Sequence, residues 1–398
     1  MGAGAEAPEI FWVLLYLYKS TSPEDETSPS PAPPAGGMFK CADASLHFGH
    51  PAKARAEPLP YITSGSGFID KETNFYDRHP RTNAAPVITA YKGDDTPVNS
   101  TKRVIALGFF DGVHLGHGAL LRAVAAAADR LNASACAFTF DRSPTAVITG
   151  QSVPLISSVE DRIWLMRRYY GIQEVIVASF DAMQRMDWQD FILQYLVRDL
   201  GVVHVVAGHD FHFGYMGKGN PERLKAKCAE LGIGCDIIGR VEQDGITISS
   251  TYIRTLIAQG EMERANQFLG HPHTLTDRVV HGKKIGSSTL GFPTVNLTIP
   301  PRVIVPAYGV YATRVWFDGQ CRCAVTNVGV RPTVEDNDGR VTVEGFILDF
   351  DGNLYGHQVR MEFFKHLRPE QKFLSMQALS DEIRRNAQQT RDYFRQLP

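Results

Sequence analysis

Residues 103–131 read RVIALGFFDGVHLGHGALLRAVAAAADRL, and this stretch decides the fold. It opens with an apolar run of strand length, Val104–Phe109. From about residue 117 it places Leu120, Leu121, Val124, Ala128 and Leu131 on one face of a helix. Between the two lie Gly108, Phe110, Asp111, His114, Gly116 and His117. A strand that turns straight into a helix predicts unpaired backbone N–H groups and a positive dipole end, which together can hold phosphate.

The same alternation continues downstream. Strand-length apolar runs recur at Ala135–Phe140, Val175–Phe180, Val202–Ala207 and Asp236–Val241. Amphipathic segments at about 160–170, 188–200 and 221–231 separate them, each followed by Gly within a residue or two, a common helix stop. This predicts a doubly wound, Rossmann-like α/β layer with a mostly parallel sheet. After about residue 271 the pattern changes. Asp318-Gly319, Asp338-Gly339 and Asp351-Gly352 supply the positive φ angles of tight hairpins, with strand-like Tyr311–Phe317 and Val341–Phe350 before the first and third. Such spacing predicts an antiparallel β-barrel. Pro369 suits a first helical turn, and Met376, Leu379, Ile383, Ala387 and Phe394 recur at helical spacing. The expected organisation is an extension over 1–85, an α/β domain over 86–270, and a barrel domain with a C-terminal helix over 271–398.

Composition narrows the function. The chain has 398 residues, 41 Lys plus Arg against 43 Asp plus Glu, so no broad basic surface attracts nucleic acid. Six cysteines lack the spacing of a metal or redox motif and read as reduced thiols, which predicts a cytoplasmic protein. The apolar run Ile10–Tyr18 is about half the ~20 residues a bilayer crossing needs, and Glu6 and Glu9 precede it where an export signal wants basic residues. Membrane insertion is not expected. Residues 19–37, rich in Ser, Pro, Glu and Gly, read as a disordered linker. No obligate protein partner is evident.

His114 and His117 sit three apart around Gly116, which lets backbone approach a ligand closely. Two imidazoles there can donate to phosphate oxygens as charge develops. They could instead contribute to a zinc site or cap a turn. Ser249, Ser250 and Thr251 add hydroxyls at the expected start of a late helix, and Arg254 adds a guanidinium able to clamp phosphate; one of Ser250 or Thr251 could simply be the N-cap. Gly208 and Asp210 open a glycine-rich segment leaving a strand, where open α/β sheets bind ligands.

His114-x-Gly-His117 resembles the H-x-G-H signature of the nucleotidyltransferase superfamily, and Ser249-Ser250-Thr251-x-Ile253-Arg254 resembles its second signature. The string Phe110 to His117, with Gly208-x-Asp210-Phe211-x-Phe213-Gly214, is similar to the FMN adenylyltransferase module of prokaryotic bifunctional riboflavin kinase/FAD synthetases. The resemblance implies that His114 and His117 stabilise the ATP phosphates and that Arg254 with its hydroxyl neighbours holds pyrophosphate. Asp111 and Asp210 would help seat nucleotide, flavin or metal. Two positions depart from the family: Phe109 stands where Asn is common, and Ser143 where His is usual.

In the barrel half, extended backbone over 294–297 would point Thr294 and Asn296 to one face. They would offer neutral oxygens to a hard cation such as magnesium, or would merely satisfy local backbone. The preceding loop, with Gly282, Lys283, Lys284 and Gly286, could close over phosphates. Gly282 to Gly286 with Leu290-Gly-Phe-Pro-Thr294-x-Asn296-Leu297, Asn327-Val-Gly329-x-Arg331-Pro-Thr333 and Leu354-Tyr-Gly356 resembles the riboflavin kinase signature. That resemblance implies that Glu344 is the catalytic base and that Asn327 and Arg368 lie near flavin. Gly345 with Phe346, and Asn386 in place of a common Asp, are departures.

The implied enzyme uses riboflavin, FMN and ATP with Mg2+ or another divalent cation, flavins being substrate and product. Three alternatives stay open at this point: an FAD synthetase with an inactive kinase half, a nucleotidyltransferase for another phosphorylated acceptor, and a flavin-binding regulator.

Overall fold

Strands β1 (Val87–Lys92), β2 (Arg103–Leu107), β3 (Ser134–Phe140), β4 (Glu174–Ala178), β5 (Val202–Gly208) and β6 (Gly234–Ile238) form one sheet in the order β1-β4-β3-β2-β5-β6. All neighbours are parallel except β1, which runs antiparallel along β4. The computed structural model describes residues 87–92, 102–280, 294–330, 341–371 and 373–397. The expected extension over 1–85, the linker at 19–37, the loop with Gly282, Lys283, Lys284 and Gly286, and the Asp338-Gly339 turn lie outside the described residues.

The central strands are buried on both faces, as a parallel sheet covered twice must be. Val104, Ala106, Ala135, Ala137, Val175 and Val177 face a core closed by α1 (Leu115–Leu131) and α2 (Val159–Tyr170). The alternating residues Ile105, Leu107, Cys136, Phe138, Ile176 and Ala178 face the opposite core, closed by Phe191–Leu196 and α3 (Pro221–Glu230). After the edge strand β1, the parallel part starts mid-sheet at β2, builds to one side through β3 and β4, then returns to place β5 on the other side of β2. The crevice at the carboxyl ends of β2 and β5 is therefore a topological switch point, where open α/β sheets bind ligands. After β6 comes a small antiparallel pair, β7 (Glu242–Gln243) and β8 (Ile246–Thr247), turning through Asp244 and Gly245 at positive φ.

The second large sheet contains β9 (His273–Arg278), β10 (Thr294–Thr298), β11 (Gly309–Phe317), β12 (Gln320–Val330), β13 (Val341–Ile347) and β14 (Gln358–Arg368), all antiparallel, in the order β10-β13-β12-β11-β14-β9. It curls until its edges meet: the Thr298 N–H and hydroxyl donate to Asp277 Oδ2 at 3.1 and 2.6 Å, and Val280 bridges to Asn296. Its inner face carries Val295, Leu297, Tyr311, Val315, Val328, Val343 and Phe363. Helices α4 (Ser250–Gln259) and α5 (Met262–Leu269) contribute Ile253, Leu256, Ile257 and Phe268 to that same core. The outer face is covered in part by α6 (Met376–Gln396), whose Ala387 joins Val310, Val325 and Leu348.

Several local expectations need correction. Strand β4 ends at Ala178, and Phe180 begins a helical turn whose N–H is taken by Asp141 Oδ1 at 3.0 Å. The fifth apolar run forms Gly234–Ile238 rather than 236–241. The segment expected as one helix over 188–200 is a short turn, Trp188–Asp190, followed by a π-helix over Phe191–Asp199. Asp318-Gly319 is the expected tight turn, with φ of 46° and 71°. Asp351-Gly352 is not: β13 ends at Ile347, the positive φ falls on Asp349 at 58°, and a longer connection reaches β14. Pro369 follows directly on β14, and the last helix starts at Met376 with Ser375 as its N-cap, accepting from the Ala378 N–H.

Candidate active sites

The turn between β2 and α1 is tightly wound. Phe110, Gly112 and Val113 have φ of 56°, 77° and 43°. A β-branched residue at positive φ is strained and persists only where its surroundings over-determine it. Neighbouring groups supply that restraint. Asp111, buried, accepts at Oδ1 from the Ile156 and Ser157 N–H groups at 2.8 and 3.3 Å, and Gly112 N–H donates to Ser157 Oγ at 3.0 Å. Gly108 is closely approached: a Cβ there would stand 3.0 Å from the Phe110 ring, which would have to shift.

His114 is the N-cap of α1: its Nδ1 accepts from the His117 N–H at 3.2 Å. The capping alternative is thus correct for His114, yet the residue is buried beside a second imidazole. The two rings stack, and Phe110 meets His117 edge-on at 5.2 Å. A metal lies in the plane of each imidazole that binds it, and two nearly parallel planes do not converge on one ion. Among the described residues, no group of three or more His, Cys, Asp or Glu is arranged to hold a metal. Burial, aided by the nearby charges, pushes His114 down to about 3 and His117 well below its ordinary value.

The second signature arrives at the same turn. Ser249, not Ser250 or Thr251, is the cap of α4, accepting from Tyr252 N–H at 3.3 Å. Ser250 Oγ donates to the Asp111 carbonyl at 3.1 Å. Arg254 points Nη2 at Asp111 Oδ2, 3.5 Å away, while Nη1 donates to Thr251 Oγ1 at 3.4 Å. Burial raises the Asp111 carboxyl, opposed by Arg162 and Arg254. Gly116 is held against the His114 ring, 3.1 Å from where its Cβ would stand. Gly208 and exposed Asp210 lead the loop at the carboxyl end of β5, which Phe213 and Gly219 close by reciprocal backbone bonds of 3.1 and 2.8 Å.

Sequence reasoning missed Arg162. Its side chain is fully buried; Nη1 donates to the Phe109 carbonyl at 2.7 Å and to Thr139 Oγ1 at 3.0 Å, and Nη2 to the Phe140 carbonyl at 3.2 Å. It ties two strand ends together beneath the histidine turn and stays charged, burial bringing it only down to about 10. The available signal was an arginine on the apolar stripe of α2, beside Ile163, Leu165 and Met166. Two family departures also find local uses. The Phe109 ring lies under the Arg162 guanidinium at 4.5 Å, and Ser143 caps Pro144–Thr149.

In the curled sheet, one row of directly opposed residues crosses five strands. Asn296 faces Glu344, Glu344 faces Asn327, Asn327 faces Val310, and Val310 faces Arg368. Directly opposed side chains share a face, so Asn296, Glu344, Asn327 and Arg368 all lie on the outer side, and Thr294 two residues before Asn296 joins them. Asn296 is buried and Glu344 half-buried. Arg368 is anchored by α6: Nε donates to Asn386 Oδ1 at 3.1 Å and lies 3.3 Å from Glu382 Oε1. Asn386 therefore serves as an uncharged acceptor, while Glu382 supplies the carboxylate.

An FAD synthetase family model matches residues 96–252, and a riboflavin kinase family model matches residues 269–394. The bifunctional riboflavin kinase/FMN adenylyltransferase of Listeria monocytogenes is 35% identical over 298 residues, covering 74% of this chain and 93% of that protein. The protein of the same name from Bacillus subtilis is 34% identical, covering 74% and 94%. A solved structure from Streptococcus pneumoniae, named a macrolide-efflux protein, superposes with a TM-score of 0.64 at 30% identity, over 75% of this chain and 96% of that one. No helix among the described residues is long and apolar enough to cross a membrane. On the strength of both family models and these relatives, the chain belongs to the bifunctional riboflavin kinase/FMN adenylyltransferase family.

Proposed function

We propose that the two activities of this enzyme are carried by separate halves, adenylyl transfer by residues 86–270 and phosphorylation by residues 271–398. The enzyme phosphorylates riboflavin to FMN and adenylylates FMN to FAD. The bifunctional relatives favour this reading over an FAD synthetase with a silent kinase half or a transferase for another acceptor.

In adenylyl transfer, an FMN phosphate oxygen attacks the α-phosphorus of ATP; the new P–O bond forms as the α–β bridge breaks, and pyrophosphate leaves. His114 and His117 donate to the phosphate oxygens, and the helix N-terminus adds its N–H groups. Arg254, with Ser249, Ser250 and Thr251, holds the leaving pyrophosphate. The 3.5 Å separation of Arg254 Nη2 and Asp111 Oδ2 supports a role for Asp111 in orienting that guanidinium. Gly108, Phe110 and Gly116 belong to the same turn, and exposed Asp210 follows Gly208 at the carboxyl end of β5, within reach of a nucleotide bound at the switch point. The observation supporting this assignment is the meeting of His114, His117, Asp111 and Arg254 at the switch point, from stretches separated by more than a hundred residues.

In the kinase half, the ribityl hydroxyl oxygen attacks the γ-phosphorus, its proton passes to the Glu344 carboxylate, and ADP leaves. The neutral oxygens of Thr294 and of Asn296, the latter opposite Glu344, fit a hard divalent cation such as magnesium, which supplies charge neutralisation of the triphosphate when bound. The family resemblance gives Gly282, Lys283, Lys284 and Gly286, which lie outside the described residues, a part in phosphate binding, and Asn327 and Arg368 a part in flavin binding. Free thiols at all five described cysteines suit work in a reducing cytoplasm.

Incubation with riboflavin, MgATP and inorganic pyrophosphatase, followed by chromatography of the flavins, tests the reading. FMN appears first and FAD accumulates after it; His117→Ala stops the sequence at FMN. FAD accumulation undiminished by His117→Ala removes the histidine pair from the chemistry.

A further inference from the structure

The strained turn over 110–113 is held from two sides, and only one belongs to the adenylyl-transfer half. Ser157 and Ile156 grip it from within that half. From the other side comes His271, which follows Gly270, the residue that ends α5 with φ 77°. Its Nε2 lies 3.0 Å from the Gly112 carbonyl oxygen, and its Nδ1 lies 2.9 Å from the Pro272 carbonyl. A carbonyl can only accept, so the bond to Gly112 needs the proton on Nε2; the neutral Nε2–H ring and the imidazolium both provide it. The ring is buried and stacks on Tyr169 of α2, centroids 5.3 Å apart and planes 25° from parallel.

His271 lies in the span matched by the riboflavin kinase model, whereas Gly112 lies in the span matched by the FAD synthetase model. We infer that His271 is a positioning residue for adenylyl transfer, contributed by the kinase half: its N–H fixes the Gly112 carbonyl and thereby the entry of the chain into His114. It does not touch the reacting atoms. Its leverage comes from the turn's geometry, because Gly112 is followed by Val113 at positive φ and then by the N-cap histidine. A peptide that rotates at Gly112 displaces the His114 ring against His117. Misplacement of about 1 Å at a phosphoryl-transfer centre costs on the order of tenfold to a hundredfold in rate.

This inference rests on the assignment of His114 and His117 to adenylyl transfer, and the test separates the two. Three full-length variants are assayed for FAD formation from supplied FMN and for FMN formation from riboflavin. His271→Phe keeps a ring against Tyr169 but removes the donor; His271→Gln keeps an N–H near the Nε2 position; His117→Ala reports on the site itself. The expected result for His271→Phe is a kcat for FAD formation lowered about tenfold, with KM for ATP and FMN within about twofold and kinase turnover unchanged. His271→Gln should recover most of the lost turnover. A His271→Phe enzyme with normal kcat, or one that loses both activities equally, overturns the inference while a dead His117→Ala leaves the site assignment standing. A fully active His117→Ala overturns the site assignment instead.

Discussion

The imidazoles of His114 and His117 lie face to face, centroids 3.6 Å apart and planes 12° from parallel. Two positive rings so placed would repel, and burial already disfavours either charge, so both rings are held neutral in the fold. Because His114 Nδ1 accepts from backbone, its proton is on Nε2.

Folding stability should therefore fall on mild acidification. His114 and His273 titrate at about 3 in the fold, and His117 and His271 are lowered too, burial being the first cause in each. The unfolded chain takes up these protons as pH falls through about 6.5, whereas folded His114 and His273 stay neutral until far lower pH. The contribution of His114 and His273 is complete above about pH 6.5 and declines below it, by about 1.4 kcal/mol per pH unit for each of these two rings. Urea midpoints at pH 7.5, 6.5 and 5.5 measure this. Equal midpoints across that range would mean that the rings carry protons in the native state.

Arg254 offers a fork, with one arm toward Asp111 and the other toward Thr251. Lysine keeps the charge and loses the fork. Arg254→Lys should lower kcat/KM for FAD formation by about tenfold, and Arg254→Ala by about a hundredfold, with riboflavin phosphorylation unaffected. Steady-state kinetics with FMN supplied directly provide the check; equal activity of the Lys and native enzymes would mean that charge alone, without the fork, suffices.

The α/β half was legible because its signals are local. The strands of the parallel sheet are built largely from apolar runs, and the later helices end on or close to a glycine at positive φ, as at Gly171 and Gly232, whereas α1 ends on Asn132 at φ 49°. The histidine turn was legible for the same reason, its residues being contiguous. What escaped depends on distance along the chain. The role of Arg162 depends on the Phe109 and Phe140 carbonyls, more than twenty residues away in sequence, and the Asp351-Gly352 pair gave way to a longer connection when Asp349 took the turn. In the kinase half, alternation put Thr294 and Asn296 on one face, but only strand register could line up Asn296, Glu344, Asn327 and Arg368.

Register also explains a departure from the family pattern. Gly345 lies one residue from Glu344 and so faces inward, where an added Cβ would stand 2.9 Å from Met361 Cε, 3.2 Å from Val295 Cγ2 and 3.3 Å from Thr326 Oγ1. Gly345→Val should cost about 1–3 kcal/mol through overpacking. Thermal and denaturant unfolding measure that loss. Unchanged stability would place open space behind the strand that the structure does not contain.

Glu344→Gln tests the base proposed for the kinase half. The substitution keeps the shape of the side chain and its place between Asn296 and Asn327 but removes proton acceptance, so the sheet register has no reason to change. A positioned general base contributes about 10²–10⁴-fold, so FMN formation should fall within that range while KM for riboflavin moves little. FAD formation from supplied FMN should stay at the native rate, because the histidine turn is built from other elements. Asn296→Ala is the contrasting variant: it leaves Glu344 in place and should instead raise the magnesium concentration needed for half-maximal kinase rate. A Glu344→Gln enzyme that phosphorylates riboflavin at the native rate would move the base elsewhere, and a shifted magnesium requirement in that same variant would make Glu344 part of the cation site.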